Sequence, residues 1–205
     1  MNKLILTAAV FGLAAAAPSH GATFAFNGTF SNANRPAATG GRCPILTVTI
    51  ANGPAPLFAS GTSNLGAFTA SQSHCLDSAP PIPVGAAAVP YYDGRFTYTF
   101  ASGATLSGSY DGLLTNSGIA GTVDNLQHFL ITGGTGLFAD ATGSFLGRGQ
   151  ISFLSGPPVA TLTISDGVIN APGVPEAASW AMMLTGFGAI GGLLRSRRTA
   201  SVAFA

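Results

Sequence analysis

Charge is what this chain of 205 residues lacks most. Asp, Glu, Lys and Arg make up 7% of it, against roughly a quarter in an ordinary soluble domain. Lys3 is the only lysine and Glu176 the only glutamate. Three of the seven arginines, Arg195, Arg197 and Arg198, crowd the far end. Between Thr23 and Gly173 four arginines face six aspartates, a net charge close to −2 with no basic patch. Nucleic-acid binding needs clustered cations to neutralise phosphates, so that function class is set aside. Helical periodicity is missing from the same stretch. The 28 glycines and 13 prolines follow no collagen-like period. A hydrophobic content of 47% is not that of a simple disordered chain.

Groups that carry chemistry are scarce as well. The histidines are His20, His74 and His128, and the cysteines are Cys43 and Cys75. His74 lies beside Cys75, but no further Cys/His cluster completes a metal-ligand set. No Gly-x-Ser-x-Gly elbow occurs in a strand–turn–helix context. A pair of carboxylates for glycosidic chemistry would have to be two aspartates, and most of these sit beside glycine in turn signals. The GGTG of Ile131–Ser144 (ITGGTGLFADATGS) lacks the helix and the Gly-Lys-Ser elements of a phosphate cradle; it reads as a glycine turn with Phe138 packed inward. No catalytic, cofactor-binding or metal-ligating residue is assigned, and the expectation is a protein that is not an enzyme.

The front end has the layout of an export signal. Met1-Asn-Lys is followed by a largely apolar run of 14 residues, Leu4–Ala17, and by Pro-Ser-His-Gly-Ala. That run is short for a membrane helix, and residues 1–22 are expected to form a secretory signal peptide cut after Gly21 or Ala22. Export makes a Cys43–Cys75 disulfide the default. It would close a loop of about 33 residues and stabilise by about 3–4 kcal/mol in the loop-entropy view.

What the body does have is alternation. Leu46, Val48 and Ile50 enclose Thr47 and Thr49, and Phe96, Tyr98 and Phe100 enclose Thr97 and Thr99. Phe24, Phe26 and Phe30 share a parity, as do Leu162 and Ile164. Period two puts the apolar residues on one face of a half-buried strand. Phe96–Phe100 and Thr105–Tyr110 read as one hairpin. Asp-Gly at 93–94, 111–112 and 166–167 is expected to mark tight hairpin turns. Cys75–Pro90 and Asn52–Thr62 are expected to be loops because of their prolines. The expected fold is all-β, an antiparallel barrel or sandwich over residues 23–169, followed by a linker at 170–176.

Two resemblances follow from particular motifs. ITGGTGLFADATGSFLGRG, with the upstream DGRFTYTFASGATLSGSYDG and Asn64-Leu-Gly-Ala-Phe-Thr, resembles segments of bacterial secreted β-barrels and of dirigent and allene-oxide-cyclase-like barrels. Leu137 and Asp140 stand where arginine and glycine are common. This similarity implies an antiparallel barrel and carries no activity with it.

The tail is VPEAASWAMMLTGFGAIGGLLRSRR, Val174 to Arg198. Residues 177–194 hold no charge and would span about 27 Å as a helix, enough for a bilayer core. Arg195, Arg197 and Arg198 then form a basic stop within residues 195–205, held in the cytoplasm by the positive-inside rule. In order and spacing, Val174, Pro175, Glu176, Trp180 and Ala181, the apolar run and the arginines resemble the PEP-CTERM sorting signal of Gram-negative bacteria. Ala177 replaces the proline of that motif. The resemblance implies a membrane-embedded exosortase as partner, cleavage near Pro175-Glu176, and release to the cell surface or matrix, where similar proteins accompany exopolysaccharide.

The functional expectation is therefore an exported, membrane-anchored precursor, delivered as a non-enzymatic surface or matrix barrel. One alternative is a small-ligand-binding or cyclase-like barrel with an apolar cavity. Another is an ice-binding or carbohydrate-binding surface built on the threonine-lined strand faces.

Overall fold

The structure, a computed structural model, describes residues 21–37, 42–77, 88–154, 156–172, 184–188, 190–191 and 195. The body, Gly21–Pro172, consists of strands β1 (Ala22–Ala33), β2 (Arg35–Ala37), β3 (Leu46–Ala51), β4 (Ala59–Ser63), β5 (Gly66–Leu76), β6 (Val89–Phe100), β7 (Thr105–Asn116), β8 (Thr122–Gly134), β9 (Thr142–Ser152) and β10 (Val159–Ala171). A single 3-10 turn, Gly136–Phe138, joins β8 to β9.

Eight strands close a ring, β1-β4-β5-β6-β7-β8-β9-β10, with β10 back on β1 and every pairing antiparallel. The barrel, rather than a sandwich, is thus the form the alternation takes. β4 and β3 share one edge of β5, against Gly66–Thr69 and Ser71–Leu76 respectively. β2 pairs with β3 in turn. Closure removes the exposed strand edges that would otherwise invite aggregation.

The interior follows the parity of the sequence. Phe26, Phe30, Phe68, Tyr98, Phe129 and Phe145 are each at most 3% exposed. Their rings fill the barrel in contact: Phe129 stacks on Phe145 at 4.3 Å and Phe68 on Tyr98 at 4.6 Å. Fully burying each ring contributes on the order of 2–3 kcal/mol, and the aromatic pairs add to it. Phe138, on the 3-10 turn, tucks inward against Phe100 and Phe24. The glycine turn with an inward Phe138 is therefore as expected, and so is the hairpin of β6 and β7 around residues 101–104.

The Asp-Gly pairs are not hairpin turns. Asp93 and Asp166 lie inside β6 and β10, with φ of 48° and 55°, where the ladder registers slip by one residue. These are β-bulges, and aspartate is among the few residues that adopt such a φ. Asp111 lies in β7, paired with His128 of β8. Each bulge reverses the parity of its strand. Tyr91 is buried before the bulge of β6, and Phe96, Tyr98 and Phe100 are buried after it. Without the extra residue Tyr91 would point to solvent. A second correction concerns Asn52–Thr62. Its last residues belong to β4, so the loop proper is residues 52–58.

The outer wall is rich in hydroxyls. Ladder registers align Thr161, Ser31, Ser60, Thr69, Thr99 and Thr105 on six neighbouring strands. Thr105 continues to Thr135 through a hydroxyl pair at 2.9 Å.

Cys43 and Cys75 are bonded, with Cα atoms 5.3 Å apart. The residue before the bridge is also tied down: Arg42 pairs with the carboxylate of Asp93 at 2.6 Å and donates to Ser73 Oγ at 2.9 Å. The segment entering β3 is thereby clipped to β5 by a covalent bond and to the bulge of β6 by an ion pair.

The expected signal peptide, residues 1–22, lies outside the described residues except at its last two positions, and Ala22 already pairs with Ala171. In the tail, residues 184–188, 190–191 and 195 are helical and exposed. Among the described residues no helix is long and apolar enough to cross a membrane; most of residues 177–194 lie outside them.

Candidate functional site: the polar end of the barrel

One end of the barrel interior is polar. Extending the inward parity of Phe68 and Ala70 along β5 brings Gln72 and His74 inside. The parity of Ile131 and Phe129, followed back along β8, does the same for Gln127 and Asn125. On β1 the parity of Phe26 and Phe30 reaches Asn32. All five are buried, with 7% exposure at most. In β8 the usual arrangement is inverted, because Leu130 faces solvent at 55% exposure while Asn125 and Gln127 face inward.

Burial dictates the state of these groups. His74 Nδ1 lies 2.8 Å from the hydroxyl of Tyr110, and the His74 ring packs at 4.5 Å from that of Tyr91. Loss of hydration, and then the positive charge of Arg42, lower the His74 pKa to about 3, so the ring is neutral at neutral pH. Burial likewise raises the phenols of Tyr91, Tyr98 and Tyr110, which remain O–H groups. Tyr91 donates to Asn125 Oδ1 at 2.7 Å, and Tyr98 accepts from Gln72 Nε2 at 2.9 Å. Three amide oxygens, Asn32 Oδ1, Gln72 Oε1 and Gln127 Oε1, are buried without a hydrogen-bond partner. A buried acceptor left in this state costs about 1–3 kcal/mol.

Two of those oxygens belong to residues that border a cavity of about 40 Å³ at this end. His74, Tyr91, Asn125, Asn32 and Gln127 give it polar walls, and Val48, Ile50, Leu114 and Ile151 give it apolar ones. Among the described residues no Asp, Glu, Lys or Arg side chain lines it. Larger depressions of about 210 and 350 Å³ run over the outside along Arg35 and Pro54–Leu57, open to solvent.

Of the residues singled out from sequence, Cys43 and Cys75 meet in the bridge. Arg195 is helical and exposed. Val174, Pro175, Glu176, Trp180, Ala181, Arg197 and Arg198 lie outside the described residues. Among the described residues no three His, Cys, Asp or Glu side chains converge to hold a metal. His128 pairs with Asp111 at 3.3 Å on the outer wall, and both are exposed. Among the described residues no serine hydroxyl hydrogen-bonds either His74 or His128.

Fold and site together define an up-and-down, eight-stranded barrel, plugged by aromatic rings and polar at one end. No family model, no curated protein and no solved structure matches the chain.

Proposed function

We propose that this is an exported, non-enzymatic barrel protein of the cell surface or extracellular matrix. Residues 1–22 direct it across the membrane. Residues 177–194 hold the precursor there, with residues 195–205 in the cytoplasm. An exosortase-type enzyme reads Val174, Pro175 and Glu176 together with Trp180 and Ala181, cuts, and releases the barrel among exopolysaccharide. The observation that carries the reading is the Cys43–Cys75 bridge. Such a bond persists in oxidising compartments and is rare in a reducing cytosol. The closed wall, weakly charged and lined with hydroxyls, is compatible with life among neutral polymers. The test is mass spectrometry of the mature protein from cells with and without an exosortase. The expected result is a chain ending near residue 175 only where the enzyme is present. An intact tail in both strains would rule out sorting by cleavage.

A second reading is supported by the cavity at the polar end: a barrel that binds a small ligand. It is compatible with the first, since the tail is an address and the cavity an activity.

A further inference from the structure

Outside the barrel, the two open depressions of about 210 and 350 Å³ share Arg35, Pro54 and Leu57, and so form two arms of one groove that meet at Arg35. Its walls are tied to the barrel. In loop 52–58 the Leu57 N–H donates to Pro54 O at 3.0 Å, and the Ala33 N–H of β1 donates to Phe58 O at 2.9 Å. On the other side the Asn34 N–H donates to Pro158 O at 2.7 Å. Pro54, Pro56, Pro157 and Pro158 line the groove. Proline fixes its own φ, so a ligand has little order left to impose on these walls. Among the described residues Arg35 is the one charged side chain that lines the groove. It is exposed, and the ion pairs of the described residues go to Arg42, Arg95 and His128 instead. The stretches of the body outside the described residues, 38–41, 78–87 and 155, contain no Asp or Glu that could neutralise it. Two further donors stand in the same arm. Thr49 is the ladder partner of Arg35. Asn52 accepts from the Ala59 N–H through Oδ1 at 2.7 Å, which leaves its NH₂ for a ligand.

Building on the reading of a barrel released among exopolysaccharide, we infer that this groove binds a uronic acid unit of an acidic polysaccharide, with the sugar carboxylate on Arg35. A guanidinium presents a planar fork of N–H donors that matches a carboxylate in two parallel hydrogen bonds. One cation balances a group of one negative charge, whereas a phosphate monoester carries close to two. The carbon face of the sugar ring packs on the prolines and Leu57, and its hydroxyls bond to Thr49 and Asn52. A peptide strand suits the place less well. β2 is the outermost strand of its sheet, three residues long and centred on Pro36, which has no N–H to donate to an added strand. The body as a whole is close to −2, so it exerts no general attraction on polyanions, and binding of an acidic sugar must be local to Arg35.

The test titrates the full-length, oxidised protein and follows the side-chain Nε–Hε resonances of its arginines. The probes are trigalacturonate, the neutral trisaccharide maltotriose, and the peptide triglutamate. The expected result is a saturable shift of Arg35 with trigalacturonate, while Arg148, on the outer wall and away from the groove, stays still. Maltotriose and triglutamate should bind about tenfold more weakly or worse, and added salt should weaken the trigalacturonate complex. Arg35→Gln should weaken it about tenfold or more, the loss of charge-assisted hydrogen bonds. Arg35→Lys should fall between the two, because an ammonium keeps the charge without the fork. Triglutamate binding as tightly as trigalacturonate would show a site that reads charge alone and overturn the sugar assignment. Maltotriose binding as tightly would overturn the role of the carboxylate. Equal shifts of Arg148, or no saturable shift with any probe, would overturn the site itself. The titration of the natural chain decides between these outcomes even where a variant fails to fold. The sorting reading fails separately: an intact tail in both strains would remove it and leave trigalacturonate binding to be judged by its own titration.

Discussion

A histidine that is 7% exposed and bonded to a tyrosine hydroxyl records its environment in the pH dependence of stability. In the unfolded chain His74 takes up a proton near pH 6.5; in the barrel it does so only near pH 3. Between those values the unfolded state holds more protons, so the free energy of unfolding increases with pH. The contribution is complete above pH 6.5 and is lost as the pH falls toward 3, at up to about 1.4 kcal/mol per pH unit. His74→Gln, which keeps a partner for Tyr110, should flatten the stability profile between pH 6.5 and 4.5, above the usual range of the aspartates. Urea unfolding at several pH values checks this. A slope unchanged in the variant would mean that His74 is hydrated in the folded state. The residues of the polar end were legible in a restricted sense. The parity that places Phe68 and Phe129 inward also places His74 and Gln127 inward, once it is followed past the last apolar residue. Polarity at those positions masked it, because hydrophobic pattern is the usual guide to the inner face. Their convergence was not legible, since it depends on which strands the ring makes neighbours.

Among the elements, the bulges decide more than the hairpins. Asp166 and Asp93 take left-handed φ values inside long strands, and each shifts the inward face by one residue. Glycine occupies this region freely, whereas a β-branched side chain clashes with its own backbone there. Asp166→Gly should leave stability nearly unchanged, and Asp166→Val should lower it by about 1–2 kcal/mol. Thermal unfolding of the two variants measures the difference. Equal losses would show that the aspartate side chain, rather than its φ, is what β10 requires. The β6–β7 hairpin and the glycine turn before β9 were readable from alternation and turn residues; of the expected loop Cys75–Pro90, Cys75 and Leu76 belong to β5 and Val89 and Pro90 to β6, because the alternation of both strands runs on past the cysteine and the proline, and residues 78–87 lie outside the described residues. The bulges were misread because Asp-Gly favours positive φ equally at a two-residue turn and inside a strand. What separates the two is whether a partner strand continues opposite the dipeptide, and a single chain read in order does not contain that.

For the whole molecule, the covalent clip and the ring closure act over long separations in the chain. Removing the bridge with Cys43→Ser should cost about 3–4 kcal/mol and change mobility under non-reducing conditions. Unchanged stability would mean that the Arg42–Asp93 pair and the local packing hold the entry to β3 by themselves. Sequence alone led to a barrel or a sandwich, because alternation defines faces and leaves open whether a sheet meets itself. It does so here through β1 and β10, which pair from Ala22–Ala171 to Ala33–Val159. Those are the first and last strands to leave a ribosome or a translocon. Under the export proposed above, the chain would travel with an unfinished wall, and the seam of β1 with β10 would start only with residue 159 and be complete only with residue 171. Closure of so distant a pair is entropically the slowest kind of contact to form. An anchor directly behind the last strand would keep the chain at the membrane while that seam zips shut, and cleavage after it would release only a finished ring.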